Sequence, residues 1–212
     1  MEEEKILGVV GESGSGKTTL ALSLLGLLPS GSKISGRINY RGINILELSQ
    51  KELSKVRGKE ISLVFQDALS AFDPLQKVGK QIVEKSTRER ELTYSEARLK
   101  AISLMRDLGV NNPELRFSVY PHELSGGLRQ RMFIAMSLFE NPKLLIMDEP
   151  TTALDVITQA QLVEMISSLK KRGLSIHFYR PRSRIGFEHL RQYYGDVRRK
   201  SCRNRRRHPD NF

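Results

Sequence analysis

The chain has few of the residues and segments that stabilise secreted or membrane-spanning proteins. Cys202 is the only cysteine among 212 residues, which excludes an internal disulfide and a cysteine-based metal cluster. The longest strongly apolar run, 20–28, is too short to cross a bilayer, which requires about 20 residues. The first residues after Met1 are three glutamates, so we expect no signal peptide. These absences favour a cytosolic protein.

Charge is distributed unevenly along the chain. Residues 177–212 hold eleven Lys and Arg against three Asp and Glu, so this tail carries +8 of the net charge of +11. The preceding 176 residues carry only +3. A basic tail can bind nucleic acid or an anionic membrane without sequence preference.

The segment 11–18 is the most informative stretch, because it reads Gly-Glu-Ser-Gly-Ser-Gly-Lys-Thr and fits G-x-x-x-x-G-K-[ST]. Glycines let backbone N–H groups turn inward around an anion, and a helix N-terminus adds partial positive charge. We predict that Lys17 reaches the β- and γ-phosphates of ATP and that Thr18 binds Mg²⁺. The predicted nucleotide-binding set is Gly11, Ser13, Gly14, Ser15, Gly16, Lys17, Thr18 and Thr19.

The flanks of this loop have the patterns that the motif requires. Ile6–Val10 is apolar and predicts a buried strand, and residues 19–28 have a helical pattern that stops at Pro29. The alternative, a chance glycine-rich turn, does not explain both flanks.

The rest of the chain alternates between strand and helix patterns. Strands are predicted at 36–40, 61–65, 144–147 and from 174, and helices at 49–56, 75–108, 126–139 and 156–171. This order predicts an α/β fold with a mostly parallel sheet. The block 75–120 lacks strand patterns and predicts an inserted helical subdomain whose buried contacts are Val78, Ile82, Leu99, Ile102 and Leu104.

Two carboxylates follow the apolar strand 144–147. Ligands bind at the carboxyl ends of strands in α/β sheets, so Asp148 and Glu149 are placed for catalysis. We predict that Asp148 holds Mg²⁺ through water and that Glu149 polarises the attacking water. The alternative is an ordinary strand-end turn, which a P-loop upstream makes the weaker explanation.

The string Leu-Ser-Gly-Gly-Leu-Arg-Gln at 124–130 predicts a second anion site at a helix start. Ser125 offers a hydroxyl, and the amides of Gly126 and Gly127 point outward; Gln130 completes the predicted set. One chain needs a second γ-phosphate site only if it serves a partner's nucleotide. This implies a head-to-tail pair that buries two ATP molecules.

With these motifs the chain resembles the ATP-binding subunit of ABC transporters. Residues 11–18 are similar to Walker A, 124–130 to the signature motif, 144–149 to Walker B and 152–155 to the D-loop. Gln66 stands where the Q-loop glutamine belongs, which joins Mg²⁺ to the transmembrane partner. All five motifs occur in the family's order.

The resemblance implies a P-loop NTPase core of ABC type that hydrolyses ATP, with catalytic residues Glu149, Gln66 and Lys17 and metal ligands Thr18, Gln66 and Asp148. Its partners would be a second ATPase subunit and transmembrane permeases, at the cytoplasmic face of the membrane. The strings around 65–75 and 120–127 are similar to the branch that imports dipeptides, oligopeptides or nickel. The expected boundaries are 1–74 and 126–176 for the core, 75–125 for the helical subdomain and 177–212 for the tail.

Two departures from the family pattern put activity in doubt. Only four residues precede Lys5, where family members carry an antiparallel region with an aromatic residue that stacks on adenine, so we expect weak nucleotide binding. After Ile176, Pro181 stands where the family has the histidine that senses the γ-phosphate. We expect His177 to be an exposed surface histidine and no substitute.

A reading-frame slip near Ile176 explains the abrupt change of composition. Codons for the tail, read from their second base, permit H-D-L-G-L-A-S-N from Pro181 and M-Y-A-G-K-V-V-E from Asp196, which resemble the family after its histidine. We therefore expect a disrupted strand after Ile176 and slow hydrolysis. The alternative is a genuine basic tail.

Two other functions stay open from the sequence. One is a soluble ABC ATPase that acts on DNA, although no long coiled-coil insertion separates Walker A from the signature. The other is an inactive fragment of a transporter subunit. The tail contains no recognisable nucleic-acid-binding module, so we predict no specific nucleic-acid partner.

Overall fold

The computed structural model describes residues 6–12, 14–65, 70–150, 155–170, 173–181 and 198–201. The strands are β1 (Ile6–Gly11), β2 (Asn39–Tyr40), β3 (Ile43–Asn44), β4 (Ile61–Val64), β5 (Leu144–Asp148), β6 (Ser175–Pro181) and β7 (Arg198–Ser201). The helices are α1 (Lys17–Leu24), α2 (Gln50–Val56), α3 (Val78–Arg88), α4 (Tyr94–Asp107), α5 (Pro113–Arg116), α6 (Gly126–Leu138) and α7 (Val156–Lys170). Short 3₁₀ helices lie at Ile45–Glu47 and Pro121–Glu123.

Five strands form one parallel sheet in the order β4-β5-β6-β1-β7. This confirms the predicted α/β fold with a mostly parallel sheet. The predicted strand at 36–40 is only the two-residue β2, which pairs antiparallel with β3 in a separate hairpin. β3 was not predicted from the sequence.

The strand after Ile176 is not disrupted, contrary to the sequence-based expectation. β6 continues to Pro181 and pairs with β1 on one side and β5 on the other. Phe178 and Tyr179 are fully buried, because aromatic side chains fill a sheet core as aliphatic ones do. His177 is half-buried in this strand, so the prediction of an exposed surface histidine was wrong.

Part of the basic tail also joins the sheet. Residues 198–201 form β7, which pairs in parallel with Leu7–Val10 of β1. Its backbone can enter the ladder whatever its side chains are, because ladder hydrogen bonds join main-chain groups.

The block between β4 and β5 is helical, as the sequence predicted. Its start is tied to its end, because the backbone N–H groups of Val78 and Gly79 donate to the carbonyls of Val119 and Phe117 at 2.9 and 3.0 Å. Val78, Ile82 and Ile102 are buried in a core that also contains Met147 of the sheet. Leu104 is partly buried against it.

Leu99 was predicted to be buried, but it is 67% exposed. On α4 the buried positions are Ala97, Ala101, Ile102 and Met105, which follow a helical period of 3.6 residues. Leu99 lies on the other side of that helix, so apolarity alone misplaced it.

Local capping follows the sequence at α2. Ser49 accepts from the backbone N–H of Glu52, and the Glu52 carboxylate accepts from the N–H of Ser49, which forms a capping box at the start of the helix. The same arrangement at Thr93 and Glu96 begins α4 and separates it from α3. A single helix across 75–108 was therefore too long a prediction.

Candidate functional site

The glycine-rich loop joins β1 directly to α1. Gly14 and Gly16 have φ of +76° and +87°, and Gly16 precedes α1 without any side-chain cap for the helix. The buried hydroxyl of Ser15 has no hydrogen-bond partner among the described residues. The loop therefore presents an uncapped helix N-terminus and a free hydroxyl, the groups that bind an anion.

Lys17 is the first residue of α1 and is only 4% exposed. Its Nζ donates to the carbonyls of Gly11 and Glu12 at 3.1 and 3.0 Å. The same Nζ lies 3.3 Å from Oε1 of Glu149. The ammonium is thus held at the mouth of the loop by three oxygens, one of them charged.

Asp148 is the last residue of β5 and is 4% exposed. The Thr18 side chain hydrogen-bonds to its carboxylate. Burial raises the pKa of Asp148 above its usual range, with the nearby Glu149 charge adding to the rise and the Thr18 bond and Lys17 opposing it. Its buried Oδ1 has no partner among the described residues. That unpaired oxygen beside a threonine hydroxyl suits a hard cation such as Mg²⁺.

Glu149 has a backbone φ of +48°, which is rare for a residue with a side chain. Its backbone N–H donates to the carbonyl of Tyr179 at 3.1 Å, so β6 holds it in this conformation. Strain of this kind persists where the surroundings fix it, and it concentrates at functional sites. The geometry turns the Glu149 side chain back to Lys17.

The second predicted site begins α6. Ser125 is its N-cap, and its Oγ accepts from the backbone N–H of Leu128 at 3.4 Å. Gly126 is exposed and Gly127 is half-buried. Gln130 is 4% exposed, and its amide nitrogen lies in the interior without a partner among the described residues. This burial does not favour the predicted direct contact of Gln130 with a nucleotide.

The structure therefore joins some predicted residues and leaves others apart. Lys17, Thr18, Asp148 and Glu149 form one connected cluster beside the loop. Thr19 is exposed on α1. Ser13 and Gln66 lie outside the described residues, as do 151–154 of the predicted D-loop. The start of α6 makes other contacts: Ser125 accepts from the backbone N–H of Leu128, and Gly127 lies against Thr158.

Sequence reasoning missed two residues near the site. Tyr179 acts through its carbonyl, which no side-chain motif can reveal. Thr158 lies on α7 close to Gly127, and only the packing of two helices brings it there. An N-cap pattern of Asp155 followed three residues later by Thr158 was the one available signal.

Within the described part of the chain, no helix is long and apolar enough to cross a membrane. The same residues contain no group of three or more His, Cys, Asp or Glu side chains able to hold a metal ion. A cation at the loop would therefore depend on hydroxyl, water and phosphate oxygens besides Asp148, as is usual for Mg²⁺.

Comparison with known proteins gives consistent matches. The family described as ABC transporter matches residues 1–152. A probable peptide ABC transporter ATP-binding protein, y4tR of Sinorhizobium fredii, is 45% identical over 177 residues, which are 82% of this chain and 53% of that protein. The oligopeptide transport ATP-binding protein OppD of Bacillus subtilis is 44% identical over 174 residues, 81% of this chain and 49% of OppD. The chain thus spans about half the length of these relatives.

A solved structure shares the architecture. The ATP-binding cassette MJ0796, determined as a dimer in a post-hydrolysis state bound to ADP and Pi, aligns with a TM-score of 0.72 at 26% identity. The alignment covers 84% of this chain and 75% of that one.

Proposed function

The chain belongs to the ABC transporter ATP-binding family, and from this premise we propose that it binds and hydrolyses ATP to drive transport. One observation carries the proposal: Lys17, Thr18, Asp148 and Glu149 are connected beside an uncapped helix N-terminus. Cation, hydroxyl and carboxylates are the groups that phosphoryl transfer uses for positioning and charge stabilisation.

The phosphates are proposed to lie against the loop residues Gly11, Ser13, Gly14, Ser15, Gly16, Lys17, Thr18 and Thr19. Lys17 would exchange its carbonyl and Glu149 partners for phosphate oxygens, which the flexible ammonium can do by small rotations. The unpaired Ser15 hydroxyl would gain a partner at the same time.

Mg²⁺ is proposed to be held by Thr18, Asp148 and Gln66. When bound, the ion neutralises charge that develops on the phosphate oxygens. The Thr18 side chain lies beside the Asp148 carboxylate, so both could bind one ion.

Glu149 is proposed to orient the attacking water and accept its proton. The Lys17 ammonium lies 3.3 Å from this carboxylate, so the ion pair must open before Glu149 can act as a base. Phosphate oxygens that draw Lys17 away would release it, which links catalytic competence to nucleotide binding.

Hydrolysis is proposed to need a second ATPase subunit in a head-to-tail dimer. Ser125, Gly126 and Gly127 would contact the partner's nucleotide, and Gln130 would support them from within. MJ0796, which is similar to this chain, was solved as a dimer.

The transported solute is proposed to be a peptide, since y4tR and OppD are named as peptide transport proteins. Nickel is the alternative that the sequence left open. Permeases would provide the membrane path, and the chain would sit peripherally at the cytoplasmic face. The boundaries 1–74, 75–125 and 126–176 are proposed as two core parts around a helical subdomain.

We propose further that turnover is impaired by the region after Ile176. Pro181 pairs in register with Gly11 at the P-loop, and a proline side chain offers no hydrogen bond to a γ-phosphate. The matches with the two relatives extend over 174 and 177 residues, a length similar to the 176 that precede the change in composition. A reading-frame slip near Ile176 stays the proposed origin, with an inactive fragment as the extreme case.

Calorimetry with Mg-ATP tests the binding proposal. We expect the chain to bind and Lys17→Ala to lose binding, because the substitution removes the cation at the loop. Lys51→Ala, on the exposed side of α2, is the matched control and should bind like the parent. Equal affinity in the parent and Lys17→Ala would contradict the proposal.

Turnover of a version whose reading frame is restored after Ile176 tests the impairment. We expect it to hydrolyse ATP faster by about 10²–10³, the usual effect of one positioned donor. The nucleotide sequence at codons 174–182 tests the slip directly. If the unaltered chain hydrolyses ATP as fast as the frame-restored version, and Glu149→Gln abolishes this hydrolysis, the tail is functional.

The DNA-directed alternative rests on the tail charge of +8. We expect any DNA binding by the chain to be independent of sequence and to fade as salt rises. A site-specific footprint that survives moderate salt would favour that alternative.

A further inference from the structure

Thr158 makes two contacts of different kind, and the first is with Asp155. The backbone N–H of Thr158 donates to Oδ1 of Asp155 at 2.9 Å, and its Oγ1 donates to Oδ2 at 2.7 Å. The Asp155 carboxylate therefore begins α7 as its N-cap while a hydroxyl holds its second oxygen. Thr158 therefore hydrogen-bonds to both carboxylate oxygens of Asp155.

The second contact of Thr158 is with Gly127 on α6. A methyl group built on Gly127 would lie only 2.7 Å from Cγ2 of Thr158 and 3.6 Å from its Oγ1. Real carbon atoms do not approach so closely, so the Thr158 methyl occupies the space that a side chain at position 127 would need. A glycine is thus required here by a contact inside the chain, besides any requirement of a nucleotide.

One turn further along, the same two helices are joined again. Arg131, four residues after Gly127, donates to Oε1 of Gln161 at 2.8 Å. The other guanidinium nitrogen of Arg131 donates to the carbonyl of Leu108 at 2.7 Å. The first turns of α6 and α7 are therefore held together at two successive levels, and Thr158 forms the level next to the signature motif.

We propose that Thr158 is a positioning residue that couples Asp155 to the signature motif. Its hydroxyl side holds Asp155 and its methyl side holds Gly127; we call Asp155, Thr158 and Gly127 the Thr158 bridge. The proposal rests on the proposed function, in which Ser125 and Gly127 meet the partner's nucleotide. The bridge fixes the position of the Gly127 backbone relative to Asp155. Gly127 therefore meets the partner's nucleotide in one geometry.

Two substitutions of Thr158 each remove one of its two contacts. Thr158→Val keeps a methyl group toward Gly127 and removes the hydroxyl that binds Asp155. Thr158→Ser keeps the hydroxyl and removes Cγ2. Thr87→Val on α3 is the matched control, because the Thr87 hydroxyl bonds only to helix carbonyls, at Val83 and Glu84, in the described structure.

Amide hydrogen exchange of the nucleotide-free chain tests the contacts. We expect Thr158→Val to speed exchange about tenfold in the segment 155–162, the effect of losing one hydrogen bond to a carboxylate. Thr158→Ser should speed exchange in 125–130 instead. No change in either segment relative to Thr87→Val would overturn the proposal.

Turnover and ATP-driven dimerisation test the coupling. We expect both variants to reduce kcat several-fold and to weaken dimerisation in a Glu149→Gln background, with the calorimetric affinity of the single chain for Mg-ATP unchanged. If only Thr158→Val is impaired, Thr158 is no more than a cap for α7 and the bridge is refuted. Parental turnover in both variants refutes it as well.

The same experiment separates this inference from the proposed function. A parent chain that neither binds ATP nor dimerises contradicts the proposed function. The exchange pattern then decides on the bridge alone, since it needs no nucleotide.

Discussion

The helices α1 and α6 both begin after a glycine-bearing loop, yet their first turns differ in what already occupies the backbone N–H groups. At α1 no side chain caps the helix, and Lys17 is buried beside the carboxylates of Asp148 and Glu149. At α6 the Ser125 hydroxyl already accepts from the backbone N–H of Leu128, and Ser125 and Gly126 are exposed. Neither first turn contains an acidic residue that would repel an anion.

The two helix starts differ in how much of a site one chain can provide. At α1 the ammonium of Lys17, the Thr18 side chain and the carboxylates of Asp148 and Glu149 lie together within one chain. The start of α6 has donors but no base or lysine bonded to it in the described structure. This difference fits the proposed function, in which the nucleotide binds at α1 and the start of α6 contacts a partner's nucleotide.

Glu149→Gln should have the largest effect and act only at α1. Because the base is lost, we expect turnover to fall by about 10²–10³. ATP affinity should rise, because Lys17 loses a charged competitor 3.3 Å from its Nζ. Steady-state assay and calorimetry give the two values. A fall in affinity would show that the Lys17–Glu149 pair helps to hold the nucleotide.

Gly16→Ala should separate backbone strain from phosphate binding. Gly16 has φ +87° and Gly31 has φ +88°, and a methyl group would meet nothing within 4 Å at either position. Both alanine variants should lose about 1 kcal/mol of unfolding free energy in urea. Only Gly16→Ala should lose ATP affinity in calorimetry, by about tenfold or more, since only there must the backbone wrap a phosphate. Equal affinities would contradict a phosphate site at α1.

Ser125→Ala tests the other helix start. Loss of the N-cap should lower the free energy of unfolding by about 1 kcal/mol. Ser49→Ala, which removes an N-cap at α2, should have the same effect in a urea titration. Turnover should fall only in Ser125→Ala, with the ATP affinity of the single chain unchanged. If Ser49→Ala reduces turnover as much, the effect is one of stability.

Asp148→Asn should have the smallest effect, visible in the pH dependence of stability. The pKa of Asp148 is raised by burial above 3.8, so its ionised form opposes folding as pH rises through that window. We expect Asp148→Asn to raise the thermal midpoint of the nucleotide-free chain at neutral pH. The gain should shrink as pH falls toward 4.

Asp73→Asn should change the stability at neutral pH in the opposite direction. The backbone N–H of Leu75 and the Gln76 amide lower the pKa of Asp73 below 3.8, so its ionised form favours folding above that pH. Its asparagine variant should therefore be less stable at neutral pH, with the difference lost in acid. The same sign for both variants would contradict the burial argument for Asp148.

Much of the fold was predictable because strong local patterns carry it. The runs 61–65 and 144–147 are apolar throughout, and the observed β4 and β5 differ from them by one residue at one end. Boundaries failed where a cap decided them: Thr93 and Glu96 split the predicted helix 75–108 in two. The prediction that Leu99 is buried was wrong, because the neighbours of α4 determine which of its sides is covered.

The amino-acid sequence alone predicts the glycine-rich loop, the order of the motifs and the chemical groups of the site, because glycines, a lysine and carboxylates at fixed spacings have few other uses. Three contacts depend on tertiary packing. Lys17 pairs with Glu149, and the Tyr179 carbonyl accepts from the backbone N–H of Glu149. Thr158 packs on Gly127. These contacts join residues 30 to 132 positions apart in the chain. No local pattern encodes such distances; the parallel strand order and the packing of α6 on α7 set them.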